Sequence, residues 1–189
     1  MAIFLGSLTT GAFNLVMDRF LGVDESYMLT PLSKTDIVGG LILSGLFITT
    51  GIAVLILAIS IIITGTPMQH FWRQSFAMLT VIVLTTLSLL SLMFFILGRF
   101  RHPRIVGILS GFLNVILFFP SGAIYPIASF PGWLRSFTMI NPESYAVHAL
   151  KAILFKDTGL AAISQDLIFL LSFCALMLTL AVVTFKRKV

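Results

Sequence analysis

Polar and apolar positions are segregated along this chain into long charge-free runs and short charged joints. Residues 37–72 carry no charge, and Gly65, Thr66 and Pro67 interrupt that run. A helix that crosses a bilayer needs about 20 apolar residues. The pattern therefore predicts crossing helices over 37–64, 74–98, 105–119 (rather short and ended by Pro120) and 167–185. Residues 1–17 read as one more, short and abrupt at its start. The expected fold is all-α, a polytopic membrane protein with about five transmembrane helices.

Residues 118–156 break this pattern. Their sequence, FFPSGAIYPIASFPGWLRSFTMINPESYAVHALKAILFK, is too rich in Pro and Gly for a plain crossing helix and too apolar for a solvated loop. A bilayer accepts such a segment where it re-enters, lies at the interface or is buried in protein. Two short helices are predicted in it. One starts after Pro131, with Trp133 at the interface. The other starts at Pro142, with Asn141 as N-cap, Pro at the first helical position and Glu143 in the first turn, where the helix dipole favours an acid. Glu143 is read either as a capping charge alone or as part of a gate.

Composition agrees with the pattern. The 189 residues are 58% hydrophobic and 10% charged, whereas a soluble domain carries about 25% charged residues. A surface facing water on all sides is excluded. The net charge of +5 sits at the ends of apolar runs, which suits topology and lipid headgroups rather than nucleic acid. Cys174, the single cysteine, lies inside an apolar run and reads as a small core hydrophobe.

Basic residues in short joints set the orientation. Arg99, Arg101 and Arg104 lie on one side with Lys186, Arg187 and Lys188, and that side reads as cytoplasmic. Residues 18–36 fall on the same side. Residues 65–73 and 118–156 fall outside, although Arg73, Arg135, Lys151 and Lys156 temper the bias. An odd number of spans leaves the first residue outside with no basic anchor, so a further crossing is expected ahead of Met1. No basic region precedes the first apolar run, and no Asn-x-Ser/Thr site occurs. Both suit a bacterial inner (plasma) membrane.

Enzyme chemistry finds no support. There is no phosphate-binding G-x-x-x-x-G-K-[ST] and no H-E-x-x-H, and His70, His102 and His148 lack metal-ligand spacing. No catalytic residue, metal ligand or cofactor of the chain itself is expected. No acidic pair lies within a span, which argues against a proton-coupled carrier acting alone. Gly107 and Gly111 form a G-x-x-x-G that suits close packing or a dimer contact, with Asn114 one turn on as a bonding group between helices. The joint DRFLGVDESYMLTPLSKTD, residues 18–36, mixes charges with apolar residues and suits docking on the membrane or on a soluble partner.

Two stretches resemble the membrane subunits of ABC-2 type exporters. Ser121-Gly122, Pro126, Phe130-Pro131-Gly132-Trp133-Leu134, Asn141-Pro142, Tyr145-Ala146-Val147 and Ala149-Leu150 resemble that family's SGxxxP…LPGWL…NPxTYAVxALR run. Asp18, Arg19, Gly22, Glu25 and Thr30-Pro31-Leu32-Ser33 resemble its ERExGTxExLLxTPLS run. Phe20, Val23 and Lys151 depart from the pattern. The resemblance implies a single transmembrane domain over 1–189, incomplete at its N-terminus relative to a six-span family fold. It implies that Asp18, Arg19, Gly22, Glu25, Thr30 and Pro31 form a coupling helix seated on a cytoplasmic ATPase, which binds the ATP and Mg. It also implies that Pro131, Gly132, Trp133, Asn141, Pro142, Glu143 and Tyr145 belong to a re-entrant outer gate. A second copy or homologous half completes the pore, and the substrate is an amphiphile: drug-like, lipid or glycan. The competing reading is a polytopic scaffold or assembly subunit without transport.

Overall fold

The computed structural model describes residues 17, 21, 34–65, 70–100, 102–156 and 160–184. Among them the chain forms six α-helices, joined by short 3-10 turns, and no strand. These are α1 (Lys34–Thr64), α2 (Phe71–Leu97), α3 (Pro103–Phe118), α4 (Gly132–Thr138), α5 (Pro142–Lys156) and α6 (Ser164–Thr184). Four stretches are long and apolar enough to cross a membrane: Val38–Thr64, Phe71–Leu97, Pro103–Ser121 and Leu160–Val183. The chain is therefore an all-α polytopic membrane protein. The expected span over 1–17 and the six coupling residues, Asp18, Arg19, Gly22, Glu25, Thr30 and Pro31, lie outside the described residues.

The helices start earlier than their apolar runs. Asp36 joins α1, and Arg73 lies in the first turn of α2. Backbone hydrogen bonding continues into polar residues, so charge marks where a span leaves the hydrocarbon and not where the helix ends. The 65–70 break is real: Gly65 adopts φ 60° and closes α1 through its N–H to the Ile61 carbonyl, 3.0 Å. Pro103 opens α3 at its first turn, where a missing N–H costs nothing.

α2 is the centre of the bundle. Over its second half, Leu89, Leu90, Met93, Phe94 and Leu97 form one cluster with Val38 and Ile42 of α1, Val106 and Leu117 of α3 and Ala181 of α6. Toward its start α2 has Leu57 and Ile61 of α1 and Leu167 of α6 beside it, and a short helix as well. Ala77, Met78 and Val81 pack against Ala146, Ala149, Ala152 and Ile153 of the short helix α5. Lipid tails are as apolar as the side chains, so helices here associate through dispersion and close backbone approach. The alanines at 146, 149 and 152 recur every third residue and leave α5 a thin face toward α2. Between these two regions the Ser88 hydroxyl bonds to the Leu84 carbonyl of its own helix, 2.8 Å, and to the Leu170 carbonyl of α6, 3.1 Å.

Ala149 is fully buried at the α2–α5 contact. Ala149→Leu is expected to push the helices apart and destabilise the fold by about 1–3 kcal/mol. Denaturant or thermal unfolding in mild detergent measures this, and a variant as stable as the parent would refute the close contact.

Candidate functional site

The excursion after α3 leaves the bundle at the end where α1 stops at Thr64 and α2 starts at Phe71. α3 stops because Pro120 cannot continue it; a 3-10 turn over Phe119–Ser121 follows, and then Gly122 at φ 79°. Only glycine suits that position twice over. An L side chain is strained at this φ, and an added Cβ would lie 2.9 Å from Ile127 Cγ1. The chain returns through α4 and α5.

Asn141 joins the two broken ends. Its Nδ2 donates to the Leu117 carbonyl, 2.6 Å, one of the last-turn carbonyls of α3 that a helix end leaves without a partner. Its Oδ1 accepts from the Glu143 N–H, 3.1 Å, as the N-cap of α5. Its own carbonyl accepts from the Ser144 N–H, 3.1 Å. Pro142, at the first helical position, has no N–H to place.

Side chains then tie α5 to three spanning helices. Gln74 Nε2 of α2 donates to the Ile153 carbonyl at 3.5 Å. Lys151 Nζ donates to the Gly122 carbonyl, 2.7 Å, just past the end of α3. His148 Nδ1 and Asp166 Oδ2 lie 2.8 Å apart and link α5 to the first turn of α6. The Tyr145 ring stacks on Phe169 of α6 at 3.8 Å and 16°. Its hydroxyl donates to the Met139 carbonyl, 2.8 Å, and fixes the turn between α4 and α5.

These ties set the depth of α5. At 1.5 Å per residue, Leu117 lies about 21 Å along α3 from its start at Pro103. Gln74 lies about 35 Å from the end of α2 by the same rise. Both distances run from the end where residues 98–103 turn. The N-terminus of α5 therefore lies about 14 Å deeper than its C-terminal turn, so the helix points inward along the bundle.

Glu143 sits at that inner end. It is 6% exposed and its Oε2 meets no donor; the Ser144 hydroxyl beside it also lacks a partner. Burial pushes the Glu143 carboxyl up to about 7. Among the described residues, no group of three His, Cys, Asp or Glu side chains comes together to hold a metal ion.

The expected site residues divide into two groups. Asn141, Pro142, Glu143 and Tyr145 come together at the buried start of α5. Pro131, Gly132 and Trp133 open α4, which lies on the periphery: Trp133 is 75% exposed, and Met139 and Ile140 are exposed with it. The Pro131 carbonyl accepts from the Leu134 and Arg135 N–H groups, both at 3.0 Å, so Pro131 starts α4 without packing it inward. Among the described residues Gly107 and Gly111 form no close side-chain contact, since a Cβ at either would meet nothing within 4 Å. Both glycines are exposed. Asn114, on the same helix, makes no hydrogen bond with a described residue.

Sequence reasoning missed Lys151, Gln74 and the His148–Asp166 pair. Lys151 carried a signal, as the basic residue that closes the outer motif. The others are separated by 18 and 79 residues from their partners and are joined only by the fold.

Asn141→Ala would leave the Leu117 carbonyl buried without a donor, a cost of about 1–3 kcal/mol. Asn141→Asp keeps the cap on Glu143 and loses the bond to Leu117. Faster hydrogen exchange at 118–123 is expected in both variants, and at the start of α5 chiefly in the alanine variant. Identical exchange in Asn141→Asp and the parent would refute the bridging role.

A family model described as "ABC-2 type transporter" matches residues 1–155. A probable multidrug ABC transporter permease, YbhR of Escherichia coli (strain K12), is 27% identical over 185 residues, which cover 98% of this chain and 50% of that protein. A protein bearing the name transport permease ycf38, of Porphyra purpurea, is 29% identical over 156 residues, 79% of this chain and 51% of its own length. The chain spans about half the length of these curated relatives. Matched by family model over most of its residues, with four membrane-crossing helices, the chain belongs to the ABC-2 type transporter family of membrane permeases.

Proposed function

We propose that this permease is the membrane part of an ATP-driven exporter that moves an amphiphile, drug-like, lipid or glycan, out of the cytoplasm. The carrying observation is the inward-pointing helix α5. A break in the backbone about 14 Å below the end of a bundle falls within a hydrocarbon layer about 30 Å thick. Broken backbone at that depth is tolerated where protein or a water-filled path meets it. Asn141 and Lys151 meet it from the protein side. We read α4 and α5 as a re-entrant pair closing the outer end of the path, with Arg99 and Arg104 at the cytoplasmic end and the C-terminus beside them. The membrane is then a bacterial inner (plasma) membrane.

The remaining parts of the machine are partners. ATP and Mg belong to a cytoplasmic ATPase seated on residues 18–33, and the permease itself hydrolyses nothing. A second copy or a homologous half completes the path. The contact face is that of α3, where Ile108, Phe112 and Val115 are 71%, 62% and 65% exposed beside Gly107 and Gly111. These positions share one side of the helix, and two glycines let a partner backbone approach. A scaffold without transport would leave the inward-pointing helix without a task.

Two substitutions test this reading. Glu25→Lys is expected to weaken co-purification of the ATPase and transport-linked ATP hydrolysis, with membrane insertion intact; unchanged coupling would remove Glu25 from the interface. Replacing Gly107 and Gly111 together by Leu is expected to loosen the pair of subunits, read by cross-linking in membranes. Normal pairing and transport in that variant would make the face a lipid surface.

A further inference from the structure

A groove of about 430 Å³ runs between α1 and α2, over the half of the pair that ends at Thr64 and Phe71. On α2 it reaches from Phe71 to Ile82, about 16 Å at the helical rise. Half of a hydrocarbon layer about 30 Å thick has that length, so the groove is as long as one leaflet is deep. No residue that lines it is charged, and Ser75 is the only polar one. Ala58 and Ser75 line it with small side chains that leave the space unfilled. Ala58 and Phe71 are exposed, so the groove is reached from the side.

The chemistry of these walls selects the occupant. An ordered water needs two to four polar partners, and one hydroxyl cannot supply them. An empty groove deprives its walls of dispersion contacts. A hydrocarbon chain matches the groove in polarity and in length.

The open end carries a charge. Leu57, Ile61 and Met78 line the groove and share one cluster with Ala149, Ala152 and Ile153 of α5, so α5 flanks it. Lys156 continues that face of α5, since 149, 152, 153 and 156 recur at i, i+3, i+4 and i+7. It is exposed in the last turn, about 4.5 Å beyond Ile153. Ile153 meets Gln74, and Phe71 lies the same rise from Gln74 toward the start of α2. The two helices run oppositely, so Lys156 stands level with Phe71, across a helix spacing of roughly 8–10 Å. Trp72, beside Phe71, is 85% exposed. Tryptophan collects at the headgroup level of a bilayer, and an ammonium there meets a lipid phosphate as a point charge.

We propose that this groove binds one acyl chain of an anionic phospholipid, with the phosphate of that lipid held by Lys156. The lipid belongs to the outer leaflet on the reading of this end as the outer one; the groove and the cation do not depend on that reading. The lipid fills the wedge between α1 and α2 and bridges it to the last turn of α5.

The test reconstitutes the full-length permease in bilayers of equal phosphatidylglycerol and phosphatidylcholine, and native mass spectrometry reads the lipid retained after detergent extraction. About one phosphatidylglycerol per permease chain is expected, in preference to phosphatidylcholine. Ala58→Phe fills the groove at an exposed position and is expected to lower retention by about tenfold or more. Leu176→Phe, at an exposed position of α6, should leave it unchanged. Lys156→Gln should keep a lipid but hold the two kinds alike. Equal retention of both lipids by the parent would overturn the proposal, as would parental retention in a folded Ala58→Phe variant. Cross-linking of Ala58→Cys to a protein segment, in a Cys174→Ser background, would make the groove a protein interface and overturn it too. The orientation fails separately: His70→Cys labelled by an impermeant reagent from the cytoplasmic side alone would move the site to the inner leaflet, with lipid retention as above.

Discussion

The structure depends on one amide side chain meeting two broken backbones. α3 ends and α5 begins inside the bundle, and each break frees polar groups that a membrane interior does not hydrate. Asn141 answers both, with Nδ2 on the Leu117 carbonyl and Oδ1 on the Glu143 N–H. A side chain with a donor and an acceptor at its tip is required, and Asn is short enough to serve its own helix while reaching the neighbour. The Pro at 142 removes one further group that would otherwise need a partner.

Once that joint is fixed, the rest of the excursion has a place to stand. The small face of α5 lies along α2 through Ala146, Ala149 and Ala152, and α2 packs against this short helix near its start and against spanning helices at both ends. Lys151, His148 and Tyr145 then fasten α5 to the flanks. α4 receives none of this; Trp133 in it and Met139 and Ile140 just past it are exposed. The two helices of the pair are thus unequal: one is built into the bundle and the other rides on it.

Much of this is legible in the sequence, for definite reasons. A charge-free run long enough to cross a bilayer admits few alternatives, so 37–64, 74–98, 105–119 and 167–185 become α1, α2, α3 and α6 with shifts of a few residues. Pro131 and Asn141-Pro142 mark helix starts through local chemistry that needs no tertiary information. What distance hides was not legible. Nothing local says that Gln74 meets Ile153, or that His148 meets Asp166 while the two glycines of α3 meet nothing. The burial of Glu143 was also hidden, because a first-turn acid looks the same in sequence whether it caps a helix in water or lies buried.

Four of the fastenings of α5 share a property with a consequence for sequence. Asn141, Lys151, Gln74 and Tyr145 all end on main-chain carbonyls: those of Leu117, Gly122, Ile153 and Met139. A carbonyl is supplied by whatever residue occupies the position. The residues at the receiving ends can therefore drift without loosening the joint, provided the backbone path survives. At these four joints the chemical constraint falls on the donating side chains. A frame fastened in this way tolerates change in the residues it fastens, and chains of low overall identity can share it.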